Sequence, residues 1–257
     1  MYEVRWTRDI VYDAAHPASC VIELCEPVTE KKVPLFIFFH GGGFVKGRHE
    51  IDPALASLAQ ERGIAVASVK YRLYPDARYP DYMEDAANAI AYLEKERHMS
   101  QTYSHIVVGG SSAGGYQSMM LCFAKPFLQN AGVDENIVSG WIFNAGQPTT
   151  HFQVLQERGL DGRCVMVDDA SPLYYIRESY KEKRTVPVLF LLAEHDIYNR
   201  LEQNMVMKNT LLHFDYPAEK IGFRVMEGYG HIKYDEAQDS QGNYVFAEII
   251  ADFIGKL

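Results

Sequence analysis

Cysteine is scarce, a basic excess is missing, and no apolar run approaches the length of a membrane span. Each shortage removes a class of function. The 257 residues hold four cysteines, Cys20, Cys25, Cys122 and Cys164, with no CxxC pair and no Cys/His spacing for a structural zinc. A disulfide framework is therefore not expected, and the thiols read as buried residues of a reducing compartment. Nine histidines are present, but no HExxH or similar spacing, so no metal and no organic cofactor is expected. With 25 Lys and Arg against 34 Asp and Glu, the formal charge is −9, and phosphate backbones meet no basic face. That charge argues against nucleic acid and anionic membranes as partners. The start, MYEVRWTRDIVYD, carries no apolar core of a secretory signal, so a cytoplasmic chain is expected. Repeats, low-complexity stretches and linkers are missing too, and the length suits one domain over 1–257.

What is there alternates. Two short strands are expected around Asp9–Tyr12 and Cys20–Leu24. "VPLFIFFH", "IAVASVKY", "IVVGG", "SGWIFNA" and "VPVLFLLAEHD" are apolar throughout, as strands buried on both faces are, and "IGFRVMEG" adds a last strand. Helical patterns lie between them, over about 53–61, 80–97, 113–123 and 201–212, and over the final "YVFAEIIADFIGKL". The second is the clearest, with Met83, Ala86, Ile90 and Leu93 on one face. This pattern predicts an α/β fold with a mostly parallel sheet covered by helices on both sides. Ligands of such sheets sit at the carboxyl ends of the strands. There the sequence places His40-Gly41-Gly42-Gly43, the run "GGSSAGG", and Glu194-His195-Asp196.

Gly110-Ser111-Ser112-Ala113-Gly114 fits G-x-S-x-G between a strand and a helix, the context that a nucleophile elbow requires. The turn crowds the positions two before and two after the serine, so glycine is needed at 110 and 114. A phosphate-cradling turn is the competing reading, but no lysine follows and G-x-G-x-x-G is not matched. "HGGGF" at 40–44 lies upstream after a buried strand, where backbone N–H groups could meet an oxyanion without a side chain in the way. A serine needs a base. His231, in "GYGHIK" after the last strand, occupies the expected slot. His49 and His195 stay as near-site candidates, while His16, His98, His105, His151 and His213 suit solvated or structural roles. Glu194 and Asp196 compete for the acid.

"HGGGF", "YRLYPDARYPDYMEDA" and "GGSSAGG", followed by an Asp and a Gly-flanked His, resemble the hormone-sensitive-lipase-like branch of the α/β-hydrolase superfamily, including small acetyl-xylan-esterase-like carboxylesterases. The likeness spans roughly 30–257. It implies the α/β-hydrolase fold, with Ser112 as nucleophile, Asp196 as acid and His231 as base. It also implies Gly42, Gly43 and Ala113 as backbone oxyanion donors, and a structural role for "YRLYP". The implied activity is hydrolysis of short-acyl esters, on carbohydrate or aromatic substrates, through an acyl-enzyme. Two departures stand out: Ser111 occupies a position that is often Asp in the family, and with strands expected from about Asp9 the N-terminal helical cap of larger members is not expected. A small cap insertion within 146–186 is the most that is expected. An arylformamidase-like amide hydrolase and a ligand receptor on the same fold are the alternatives. A small-molecule ester is the expected partner, with a homodimer as the candidate assembly.

Overall fold

The computed structural model describes residues 1–176 and 185–257. Eight strands make one sheet: β1 (Val4–Val11), β2 (Val21–Pro27), β3 (Leu35–Phe39), β4 (Ala65–Val69), β5 (Ile106–Ser111), β6 (Gly140–Asn144), β7 (Val188–His195) and β8 (Ile221–Gly230). Their order is β1-β2-β4-β3-β5-β6-β7-β8. β2 pairs antiparallel with β1 and β4, and the remaining neighbours are parallel. The helices are α1 (Pro53–Arg62), α2 (Asp81–Arg97), α3 (Met99–Thr102), α4 (Ala113–Phe123), α5 (Pro126–Asn130), α6 (Phe152–Glu157), α7 (Arg200–His213) and α8 (Val245–Ile254).

The continuous apolar runs have two destinations, because successive side chains of a strand point to opposite faces. Leu35, Ile37 and Phe39 of β3 join Met83, Ile90, Tyr116, Met119 and Leu211 in one core, under α2, α4 and α7. Phe36 and Phe38 join Leu55, Leu58, Phe246 and Ile250 in the other, under α1 and α8. β5 divides the same way, with Ile106 and Val108 on the first face and Val107 on the second. Both cores hold the carboxyl ends of β3, β5, β6 and β7 in fixed register. That is where the polar residues collect.

β1 departs from its expected position. It starts at Val4 and carries a register shift between Thr7 and Ile10, with Asp9 at φ 53°. Charged Arg5, Arg8 and Asp9 hide this edge strand from a pattern search, and only its end after the bulge resembles a strand. Polar residues of 146–176 turn inward: Gln147, Thr149, Thr150 and Gln153 are buried. They bond among themselves and to the chain, as in Gln147 Nε2 to the Thr150 carbonyl at 2.9 Å and Thr150 Oγ1 to Asp168 at 2.7 Å. Part of the 146–186 segment, residues 177–184, lies outside the described residues.

The thiols also divide. Cys20 and Cys25 are buried, but Cys164 is exposed and lines a cavity.

Candidate active site

Ser112 sits at φ 56°, ψ −109°, a region that a residue with a Cβ enters only when its surroundings impose it. The surroundings do. A Cβ on Gly110 would lie 2.5 Å from the Phe39 carbonyl oxygen and from the Gly114 backbone, and one on Gly114 would lie 1.9 Å from that same oxygen. The Ser112 N–H donates to the Asn144 carbonyl of the neighbouring strand at 2.8 Å. A serine at a helix start commonly caps the first turn with its hydroxyl. Ser112 makes no such cap, and its Oγ lies 2.8 Å from His231 Nε2.

His231 follows β8 and reaches back between two partners. Its Nδ1 is 2.6 Å from Asp196 Oδ1. A carboxylate can only accept there, so Nδ1 carries the proton and Nε2 is left to accept from the Ser112 hydroxyl. The Asp196 side chain is 1% exposed. Burial alone would raise its pKa, but the His231 bond and the Ile197 and Ala193 N–H groups outweigh this and hold it below the ordinary carboxylate value. The structure thus brings Ser112, His231 and Asp196 into one hydrogen-bonded chain. Glu194 points elsewhere: its carboxylate accepts the Gly228 N–H at 2.8 Å. His195 is exposed, 3.8 Å from Glu194.

The loop after β3 closes over the elbow. Gly41 packs so near that a Cβ would lie 2.9 Å from the Ser111 carbonyl. Gly42 and Gly43 have φ of 117° and 65°, and a Cβ on Gly42 would lie 1.9 Å from the Lys46 carbonyl. Glycine at 42 is fixed by this tight turn. Ala113 is the first residue of α4, whose leading N–H groups have no partner within the helix. Phe44 anchors the loop, its ring stacked on Tyr82 with centroids 4.0 Å apart. Tyr71 of "YRLYP" stacks on His40 at 4.3 Å and donates its hydroxyl to the His40 carbonyl, while Arg72 grips Asp85 through both carboxylate oxygens. His40 donates Nδ1–H to the Gly41 carbonyl at 2.7 Å, and burial lowers its pKa to about 4. It stays neutral.

A cavity of about 770 Å³ abuts this arrangement, lined by Gln147, Phe152, Gln156, Tyr198, Arg200 and Gln203 among others. Phe152 borders it on the loop side, where its ring would meet a Cβ on Gly43 at 3.0 Å. Ile197, next to Asp196, borders it on the other. Of the apolar residues that the sequence offers from this segment, Phe152 lines the cavity, Leu155 is in the core and Leu160 is exposed. Arg200 is 2% exposed and donates to the Ala145 carbonyl and to Gln147 Oε1, and burial lowers its pKa to about 10.

Four residues near the elbow escaped sequence reasoning: Asn144, Arg200, Tyr234 and Asp235. An acid four positions after the histidine in "GHIKYD" is the one signal that could have raised Asp235. Asp13, His16 and Cys20 are the one group among the described residues with metal-ligand atoms close together. His16 already bonds Asp13 at 2.8 Å, with the Arg72 guanidinium 3.5 Å from its other nitrogen, a poor setting for a further cation. No helix of the described residues is long and apolar enough to cross a membrane.

Residues 36–126 match an alpha/beta hydrolase fold family profile. A probable carboxylesterase 6 of Arabidopsis thaliana is 39% identical over 95 residues, covering 33% of this chain and 27% of that protein. The chain spans about a quarter to a third of the length of the curated relatives it matches. Among solved structures, a truncated carbohydrate esterase from gut microbiota superposes with a TM-score of 0.75 at 15% identity, covering 99% of this chain and 96% of that one. Esterase B from Lactobacillus rhamnosis gives 0.72 at 17%, covering 98% and 85%. The profile match over the elbow and the superposition over nearly the whole sheet agree, and the chain is an α/β-hydrolase-fold protein.

Proposed function

We propose that this chain is a serine carboxylesterase that cleaves short-acyl esters through a covalent acyl-enzyme. The observation that carries the reading is the hydrogen-bonded chain from Ser112 through His231 to Asp196 behind a strained elbow. His231 takes the Ser112 proton as Oγ attacks the ester carbonyl. It returns that proton to the departing alcohol, and water repeats the sequence to release the acid. Asp196 fixes the imidazole tautomer and stabilises its cation. The N–H groups of Gly42, Gly43 and Ala113 meet the oxyanion, and each such donor is worth roughly 2.7–4 kcal/mol in the transition state. This chemistry calls for no metal or organic cofactor.

The alcohol side of the substrate lies in the cavity beside Phe152. Its amide side chains Gln156 and Gln203 suit hydroxyl groups, and the rings of Phe152 and Tyr198 suit the flat face of a sugar or an aromatic ring. The likeness to a carbohydrate esterase supports the first of these. The described part of 146–186 serves as a small cap on a chain that otherwise forms one domain. A panel of acetylated sugars, feruloyl esters, simple aryl esters and an aryl formamide tests the reading. Faster cleavage of the formamide than of every ester would replace it with an amide hydrolase.

A further inference from the structure

The loop that carries His231 is pinned to the elbow by a second carboxylate. Asp235 lies four residues after His231, and its Oδ2 accepts the Ser111 hydroxyl at 2.7 Å. Its Oδ1 accepts from Asn144 Nδ2 at 2.8 Å, and the same Nδ2 lies 2.8 Å from Ser111 Oγ. Asn144 Oδ1 accepts the Tyr234 hydroxyl at 2.5 Å. The Asn144 backbone carbonyl, as described, holds the Ser112 N–H. One residue at the end of β6 therefore ties the nucleophile's backbone to two consecutive side chains of the base's loop. The loop needs tying: Ile232, directly after His231, stands at φ 50°, a strained conformation for a β-branched residue.

We propose that Asp235 is a positioning residue of the esterase, holding His231 over Ser112 by clamping its loop to Ser111 and Asn144. This rests on the esterase reading above and assigns it a residue that touches no reacting atom. The geometry also fixes what can stand at position 111. A carboxylate there would face Asp235 across a single hydrogen-bond distance, and two such groups cannot both be ionised without mutual repulsion. The contact runs from Cβ through one oxygen on residue 111, then through a carboxylate to Cβ on residue 235. Read backwards, it is the same contact with the two side chains exchanged.

The test is a double-mutant cycle on a cleaved ester, with Ser112→Ala as the control. Asp235→Ser should lower kcat by roughly 10- to 100-fold with KM within about twofold, because a displaced base slows chemistry and leaves substrate binding alone. Ser111→Asp should also impair kcat. The exchanged protein, Ser111→Asp with Asp235→Ser, should recover most of the loss, which a merely structural role for either side chain would not produce. Asp235→Asn provides a same-shape variant if Asp235→Ser does not fold, and it should show the same split between kcat and KM. Normal kcat in both Asp235 variants, or an exchanged protein no better than the product of the single losses, overturns the proposal. If Ser112→Ala stays active, the esterase reading itself falls. A dead Ser112→Ala beside normal kcat in both Asp235 variants sinks the clamp alone.

Discussion

A Cβ placed on Gly114 would lie 1.9 Å from the carbonyl oxygen of Phe39. The last residue of β3 and the first turn of α4 are thus in backbone contact, and the elbow has no room to relax around a methyl group. The offending atoms are main chain on both sides, so a side-chain rotation cannot relieve the overlap. Gly114→Ala should therefore cost several kcal/mol, at or above the ~1–3 kcal/mol of ordinary overpacking. Ala at Gly132, which has nothing within 4 Å but stands at φ 76°, should cost only the backbone strain of about 1–2 kcal/mol. Urea melts of the two variants check the ranking.

Asp196→Asn should remove far more activity than Glu194→Gln. The amide can no longer hold the tautomer in which Nε2 accepts, a loss on the order of 10⁴ in kcat in the serine-protease case that the general figure comes from. Glu194 holds a backbone N–H on β8 and makes no contact with His231. Steady-state kinetics of both variants on one ester decide the matter. The reverse ranking would move the acid.

Acyl length is the next expectation. Each methylene moved from water into an apolar pocket contributes about 0.8 kcal/mol, so an enzyme with a lipid groove improves steadily with chain length. The cavity beside the elbow mixes Phe152, Ile197 and Tyr198 with Gln156, Asn199 and Gln203, and in the reading above it takes the alcohol, so it gives a long acyl chain no dedicated groove. We expect kcat/KM on p-nitrophenyl esters to peak between acetate and butyrate. A maximum at octanoate or palmitate would contradict this and reveal an apolar groove.

Stability should depend on pH through Asp235. Burial pushes its carboxyl up to about 7, with Asp52 and Glu236 adding repulsion, against the Ser111 and Asn144 bonds that favour the charged form. The unfolded value is about 4. The native state therefore holds a proton that the unfolded state has released, and this contribution is complete below about pH 4 and lost as pH rises through about 7. Asp235→Asn cannot lose it. The melting temperature of the wild type should fall relative to the variant between pH 5 and pH 8. A wild type that gains on the variant over that range would show that the carboxyl titrates normally.

The elbow turn, the glycine loop and the histidine that meets Ser112 were legible in the sequence because each is a local demand. Glycine at 110 and 114 follows from one turn, and His231 from a glycine-flanked loop after the last strand. The choice between Glu194 and Asp196 was not legible from the residues alone. The two acids sit two apart at one strand end, and only the turn after β7 decides which reaches the histidine. Nor was the Asn144–Ser111–Asp235 network, since its members stand 33 and 91 positions apart and meet only once β5 and β6 are paired. Nor was the burial of Gln147, Thr149 and Thr150. Polar side chains that satisfy one another indoors look, in a sequence, like side chains facing water.

Ser112 and the histidine that its hydroxyl meets are 119 residues apart in the chain. A ribosome adding about 5–20 residues per second needs roughly 6–24 s to cover that stretch. During synthesis the profile-matching stretch, with its elbow and glycine loop, emerges long before any base exists to serve it. A hydroxyl without its partner is an ordinary alcohol. On the esterase reading, the nascent chain therefore stays inert toward esters until β8 is docked and His231 reaches Ser112.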